Sequence, residues 1–121
     1  MKQITVVGAG TMGNGIAHVF AQSGFIVKLF DVNPSQLDKA LTSITKNLDR
    51  QVAKGIITEE QKLTAFKNIT VTADLLEAVS KAELIVEAAT ENVELKLDIF
   101  EEIDKAAPAG CILATNTSSI S

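Results

Sequence analysis

Gly8, Gly10 and Gly13 follow the apolar run Ile4-Thr5-Val6-Val7 at the spacing G-x-G-x-x-G. A helical pattern begins directly after them. In that setting each glycine has a physical task. Gly8 permits a tight turn, Gly10 lets a pyrophosphate approach the backbone, and Gly13 lets the helix lie close to the strand. The first turn of that helix, with Thr11 and Met12, presents backbone N–H groups and a partial positive charge suited to phosphate. A second strand-like run, Phe25 to Phe30, ends in Asp31, 23 residues after Gly8. A carboxylate at that distance accepts hydrogen bonds from the hydroxyls of an adenosine ribose. Asp31 would repel a 2′-phosphate, and Val32-Asn33-Pro34 supplies no arginine to receive one. The chemistry expected is therefore dinucleotide binding, with NAD preferred over NADP. The other reading of these residues is an ordinary strand–helix–strand unit without a ligand.

The elements that must position these groups are legible in turn. Residues 2–7 form a first strand, apolar enough for burial on both faces. Residues 11–23 form a helix whose apolar face is Met12, Ile16, Val19 and Phe20, stopped by Ser23-Gly24. Residues 25–31 form a second strand. Asn33-Pro34 starts a long helix carrying Leu37, Leu41, Ile44, Leu48 and Val52 as far as Gly55. Thr58-Glu59-Glu60-Gln61 fits a capping box opening a short helix to about Phe66. Residues 69–72 alternate as a third strand, 74–81 form a short helix, and 83–88 contain a fourth strand. A helix over about 92–106 follows, stopped by Pro108-Ala109-Gly110, and residues 111–115 make a fifth strand. This alternation implies an α/β fold, a Rossmann-type doubly wound parallel sheet of order 3-2-1-4-5, with a helical-pair excursion at about 34–67. Gly8–Gly13, Asp31, Ala88–Glu91 and Asn116–Ser118 then face one crevice at the carboxyl ends of the strands.

Bulk properties narrow the function classes. The chain has 121 residues, read as one domain over 1–121, with 46% hydrophobic and 21% charged residues. A net charge of −4 argues against general nucleic-acid binding. No apolar run reaches membrane-spanning length, and no signal-peptide pattern opens the chain. Cys111 is the only cysteine, which excludes an internal disulfide and a cysteine-based zinc site, and it reads as a small buried apolar residue. No metal is expected. Together these features point to the cytosol. His18, the only histidine, is set apart from Met12, Ile16 and Val19 and reads as a solvated helix residue pointing away from the crevice.

Three segments carry a resemblance. Gly8-Ala9-Gly10-Thr11-Met12-Gly13, Val86-Glu87-Ala88-Ala89-Thr90-Glu91-Asn92 and Asn116-Thr117-Ser118-Ser119 resemble, in the same order, the N-terminal half of the L-3-hydroxyacyl-CoA dehydrogenases, above all the short-chain bacterial type. The resemblance implies an NAD-dependent oxidoreductase interconverting 3-hydroxyacyl-CoA, such as 3-hydroxybutyryl-CoA, and 3-oxoacyl-CoA by hydride transfer. It implies that Ser118 is a catalytic residue assisting a histidine–glutamate pair. It also implies that Glu91 and Lys96 lie at the nicotinamide end, that Ala88 lets the cofactor lie against the backbone, and that Asn116 and Ser118 line the cofactor crevice. The family's histidine, glutamate and second asparagine lie beyond its fifth strand. On that basis the chain is expected to be a cofactor-binding fragment without the family's helical C-terminal domain. It would be inactive alone, and the full-length enzyme would be a homo-oligomer through that domain.

Some alternatives stay open on residues alone. Lys96 also fits a solvated helix face paired with acidic neighbours, and Ser118 also fits a turn serine bonding its own backbone. On the long helix, Lys39, Lys46, Arg50 and Lys54 fall opposite the apolar side, with Ser43 and Asn47 among them. That stripe is either a solvated face or a receiver of CoA phosphates. The resemblance favours the second, with Asn47, Arg50 and Lys54 as acyl-CoA contacts, Ser118 also touching substrate. A free-standing NAD(H)-sensing regulatory module is the competing function. Another dehydrogenase of similar N-terminal fold is a third.

Overall fold

The computed structural model describes residues 2–88, 101, 103, 105, 107–108 and 110–115. Its centre is β1 (Gln3–Val7), where Ile4, Thr5, Val6 and Val7 are all buried. A strand with both faces covered needs apolar residues at consecutive positions, and this one has them. Thr5, the polar exception, is satisfied because its hydroxyl donates to the carbonyl of Ala78.

Around β1 the chain builds α1 (Thr11–Gln22), β2 (Ile26–Phe30), α2 (Pro34–Ala53), α3 (Glu59–Lys67), β3 (Ile69–Thr72), α4 (Leu75–Val79), β4 (Leu84–Glu87) and β5 (Ile112–Thr115). All pairings are parallel and the order is β3-β2-β1-β4-β5. This is the Rossmann-type doubly wound sheet expected. Val7 is level with Phe30 on one side and Glu87 on the other, and Glu87 is level with Thr115. The carboxyl ends of these strands therefore lie along one edge, where the order reverses at β1.

Two cores cover the sheet. On one face α1, α2 and α3 bring Ala17, Ala21, Leu37, Ile44, Leu48 and Ala65 against Ile4, Val6, Val27 and Leu29. On the other, Ala78, Val79, Ala82 and Ile103 meet Val7, Phe30 and Ile85. Cys111 lies half-buried at the margin of this second core, where burial pushes its thiol pKa up.

The helix starts follow local chemistry. The Asn33 side chain accepts from Ser35 N–H at 3.0 Å with Pro34 at the first position of α2, and Thr58 forms a complete capping box with Gln61. Asp74 caps α4. Gly24, at φ 98°, lies just past α1.

The buried face of α1 differs from the expected one. Met12 and Val19 are 54% and 64% exposed, while Gly13, Ala17, His18 and Ala21 are buried and Ile16 and Phe20 only partly so. The face is chosen by size. Small residues let the helix axis approach the sheet, and large ones at those positions would hold it off. The helix expected over 92–106 lies largely outside the described residues.

Candidate functional site

Gly8 turns the chain out of β1 at φ 109°, a conformation that favours glycine, and its N–H donates to Phe30 O at 2.7 Å. Gly13 sits on the first turn of α1, where an added Cβ would stand 1.6 Å from the carbonyl oxygen of Gly8. Helix and loop thus touch backbone to backbone. Gly10 is different. Its φ of −66° suits any residue, and a Cβ there would meet no atom within 4 Å. Nothing within the described protein demands glycine at position 10, and the space beside its backbone is open. Gly10 is also the N-cap of α1, and no side chain caps that end. The helix terminus faces the same space with its donors and partial positive charge, as a pyrophosphate requires.

Asp31 leaves the end of β2 and is built into the loop. Its Oδ2 accepts from Ala9 N–H at 2.9 Å and its Oδ1 from Asn33 N–H at 2.9 Å. One carboxylate therefore ties the glycine turn to the turn that starts α2. Each oxygen keeps further lone-pair capacity for ribose hydroxyls. Ala88, half-buried past the end of β4, donates its N–H to Val7 O at 2.8 Å and so lies beside the glycine turn. The structure gathers Gly8–Gly13, Asp31 and Ala88 on one edge of the sheet. Glu91, Lys96, Asn116 and Ser118 lie outside the described residues. Glu87, fully buried at the end of β4, was not singled out from sequence. Among the described residues no cluster of three or more His, Cys, Asp or Glu side chains could hold a metal, and no helix is long and apolar enough to cross a membrane.

A second feature lies behind the first. Between α1 and α2 is a groove of about 600 Å³ lined by residues including Gly15, His18, Gln22, Asn47, Arg50 and Gln51. Arg50 Nη1 donates to Asn47 Oδ1 at 3.4 Å, so these two expected acyl-CoA contacts are neighbours at its rim. Lys54, one turn on, is exposed at the end of α2 and is not part of the lining. Lys39 and Lys46 are also exposed. Asp49, beside Arg50 on α2, is engaged by Lys62 of α3 at 2.5 Å. That hydrogen bond raises the Lys62 ammonium pKa above its usual value, although partial desolvation opposes it.

His18 corrects the reading from sequence. It is 8% exposed, and its Nε2 lies 2.8 Å from Gln22 Oε1 and 3.1 Å from Gln51 Oε1. It is a buried residue between two helices, not a solvated one. The i, i+4 pairing with Gln22 was visible in the sequence. Gln51, 33 residues away, was not.

Comparison with known proteins follows the same lines. The profile of the family described as "3-hydroxyacyl-CoA dehydrogenase, NAD binding domain" matches residues 3–121. A 3-hydroxybutyryl-CoA dehydrogenase of Bradyrhizobium diazoefficiens is 44% identical over 121 residues, all of this chain and 41% of that protein. A probable 3-hydroxybutyryl-CoA dehydrogenase of Bacillus subtilis is 40% identical over 99% of this chain and 42% of its own. The crystal structure of (S)-3-hydroxybutyryl-CoA dehydrogenase from Ralstonia eutropha superposes with a TM-score of 0.93 at 36% identity, covering 100% of this chain and 42% of that one. The chain spans about two-fifths of the length of these relatives.

Proposed function

The chain belongs to the 3-hydroxyacyl-CoA dehydrogenase NAD-binding domain family, whose cofactor is NAD, and from that membership we propose that it is the cofactor-binding part of an enzyme interconverting 3-hydroxyacyl-CoA and 3-oxoacyl-CoA. 3-Hydroxybutyryl-CoA is the substrate that the named relatives suggest. The observation carrying the reading is the glycine turn itself: Gly13 packs α1 backbone to backbone on Gly8, the uncapped start of α1 is at Gly10, and the Asp31 carboxylate is tied to the same turn through the Ala9 N–H. The regulatory-module alternative draws no support from the relatives just described, which are named as dehydrogenases.

In this reading residues 1–121 form one domain. Gly10, Thr11, Met12 and Gly13 receive the pyrophosphate at the start of α1, Gly8 shapes the turn beside it while its own N–H stays on Phe30 O, and Asp31 accepts from the adenosine ribose. Ala88 leaves room along β4, and Glu91, Lys96, Asn116 and Ser118 serve the nicotinamide end. NAD, when bound, supplies the hydride acceptor. Ser118 donates a hydrogen bond to the substrate's 3-oxygen and steadies charge developing there. Asn47, Arg50 and Lys54 receive the CoA phosphates. The whole enzyme is placed in the cytoplasm as a homo-oligomer assembled through a further helical domain. The single cysteine is compatible with a reducing compartment.

The acyl-CoA part is tested by calorimetric titration of the chain with coenzyme A. Arg50 is exposed, so its contribution is screened by water and salt. Arg50→Ala is expected to weaken binding about threefold to tenfold, as for a charge-assisted phosphate contact at a wet site, more at low ionic strength. Unchanged affinity would contradict the assignment of the α2 stripe.

A further inference from the structure

We infer that His18 is a positioning residue for acyl-CoA binding: it fixes the end of α2 that carries Asn47 and Arg50. The inference rests on the reading of those two residues as CoA contacts. Its independent observation is the shared hydrogen bond between helices. Two amide oxygens, of Gln22 and Gln51, converge on one ring nitrogen. Both accept, so Nε2 carries the hydrogen and donates. Gln22 sits one turn along the ring's own helix, and Gln51 belongs to α2. The imidazole therefore joins the two helices through a buried donor.

What this joint controls follows from where the core ends. Leu48 is the last fully buried residue of α2, and Val52 is only partly covered. Past Leu48 the contacts that hold the helix include those of Val52, the Asp49–Lys62 pair, whose Asp49 is exposed, the Ile56 N–H donating to Gln51 O, and the His18–Gln51 bond. An ion pair with one exposed partner is screened by water and salt and fixes orientation weakly. The His18–Gln51 bond, part-buried between the helices, is directional. Gln51 follows Arg50 in sequence and lies one turn from Asn47, so fixing Gln51 fixes the rotation of the turn bearing both. A receptor for a flexible polyanion binds better when its donors are held in place beforehand. The cofactor loop lies at the opposite end of α1, seven residues before His18 and tied to β2 by Gly8 and Asp31. It does not depend on this bond.

The test is calorimetric titration of the chain with coenzyme A and, separately, with NADH. His18→Ala is expected to weaken coenzyme A binding about fivefold and leave NADH affinity within twofold. His18→Gln, whose amide N–H groups can reach the same oxygens, should recover most of the loss. Gln51→Ala removes the acceptor from a half-buried position without opening the core, and should reproduce the effect should His18→Ala fold poorly. If the joint acts through Arg50, His18→Ala adds less than fivefold in an Arg50→Ala background. Equal weakening of both ligands by the His18 and Gln51 variants would overturn the proposal, as would no effect of either on coenzyme A while Arg50→Ala is impaired. Should Arg50→Ala bind coenzyme A like the parent chain, the reading of the α2 stripe fails, and the proposal falls with it.

Discussion

Gly13→Ala should cost the domain a large part of its native stability. The added Cβ would lie 1.6 Å from the Gly8 carbonyl oxygen and 2.7 Å from its carbon. Both are backbone atoms, and Gly8 is fixed by its φ of 109° and its 2.7 Å bond to Phe30. No side-chain rotation relieves the clash. Either α1 lifts from the sheet, uncovering Ala17 and Ala21, or the turn leaving β1 breaks. Overpacking in cores typically costs about 1–3 kcal/mol, and a contact against fixed backbone belongs at or beyond the upper end. A loss of at least about 3 kcal/mol is a large part of a domain stability of roughly 5–15 kcal/mol. Urea denaturation followed by circular dichroism reads it as a lowered midpoint. A midpoint equal to that of the parent chain would show that the helix and the glycine turn do not touch as described.

Gly10→Val should do the opposite, keeping the fold and losing the cofactor. The backbone there, φ −66° and ψ −171°, is one that valine adopts readily, and the side chain would project where no atom lies within 4 Å. Glycine and valine differ as N-caps by about 1 kcal/mol, which a folded domain tolerates. The branched side chain would fill the approach of a pyrophosphate to the first N–H groups of α1. Affinity for NADH is expected to fall by at least about 100-fold, roughly the loss of two good phosphate hydrogen bonds. A folded variant that binds NADH as the parent does would place the phosphates elsewhere. The two glycines are three residues apart in one motif, yet one serves the fold and the other the ligand.

That contrast marks what could be read without coordinates. The motif, the strand that precedes it and the acid after β2 are local patterns, as are the Asn33-Pro34 start and the Thr58–Gln61 capping box. The apolar stripe of α2 was equally plain, because Leu37, Ile44 and Leu48 are large and regularly spaced. The face of α1 was misread because hydrophobicity weighs Met12 and Val19 above Gly13, Ala17 and Ala21, whereas close approach to the sheet selects the small residues. His18 was misread for a related reason. Its burial is decided by Gln51 on a helix that only the fold brings near. Asp31 lies just past the second strand, as read from the sequence, but its hold on the Ala9 N–H depends on how the turn folds back over β2. Asp31 is thus both a ribose acceptor in the proposed complex and a tie within the loop.

The most direct measurement is calorimetric titration of the chain with NADH and, separately, with NADPH. The Asp31 carboxylate would oppose a 2′-phosphate across a few ångströms, where like charges near a protein surface repel by a few kcal/mol at about 4 Å. The account predicts saturable one-to-one binding of NADH and at least tenfold weaker binding of NADPH. With Asp31→Ala, NADH should bind more weakly and the gap between the two should narrow. Equal affinity of the parent chain for both nucleotides, or no binding of NADH, would contradict it.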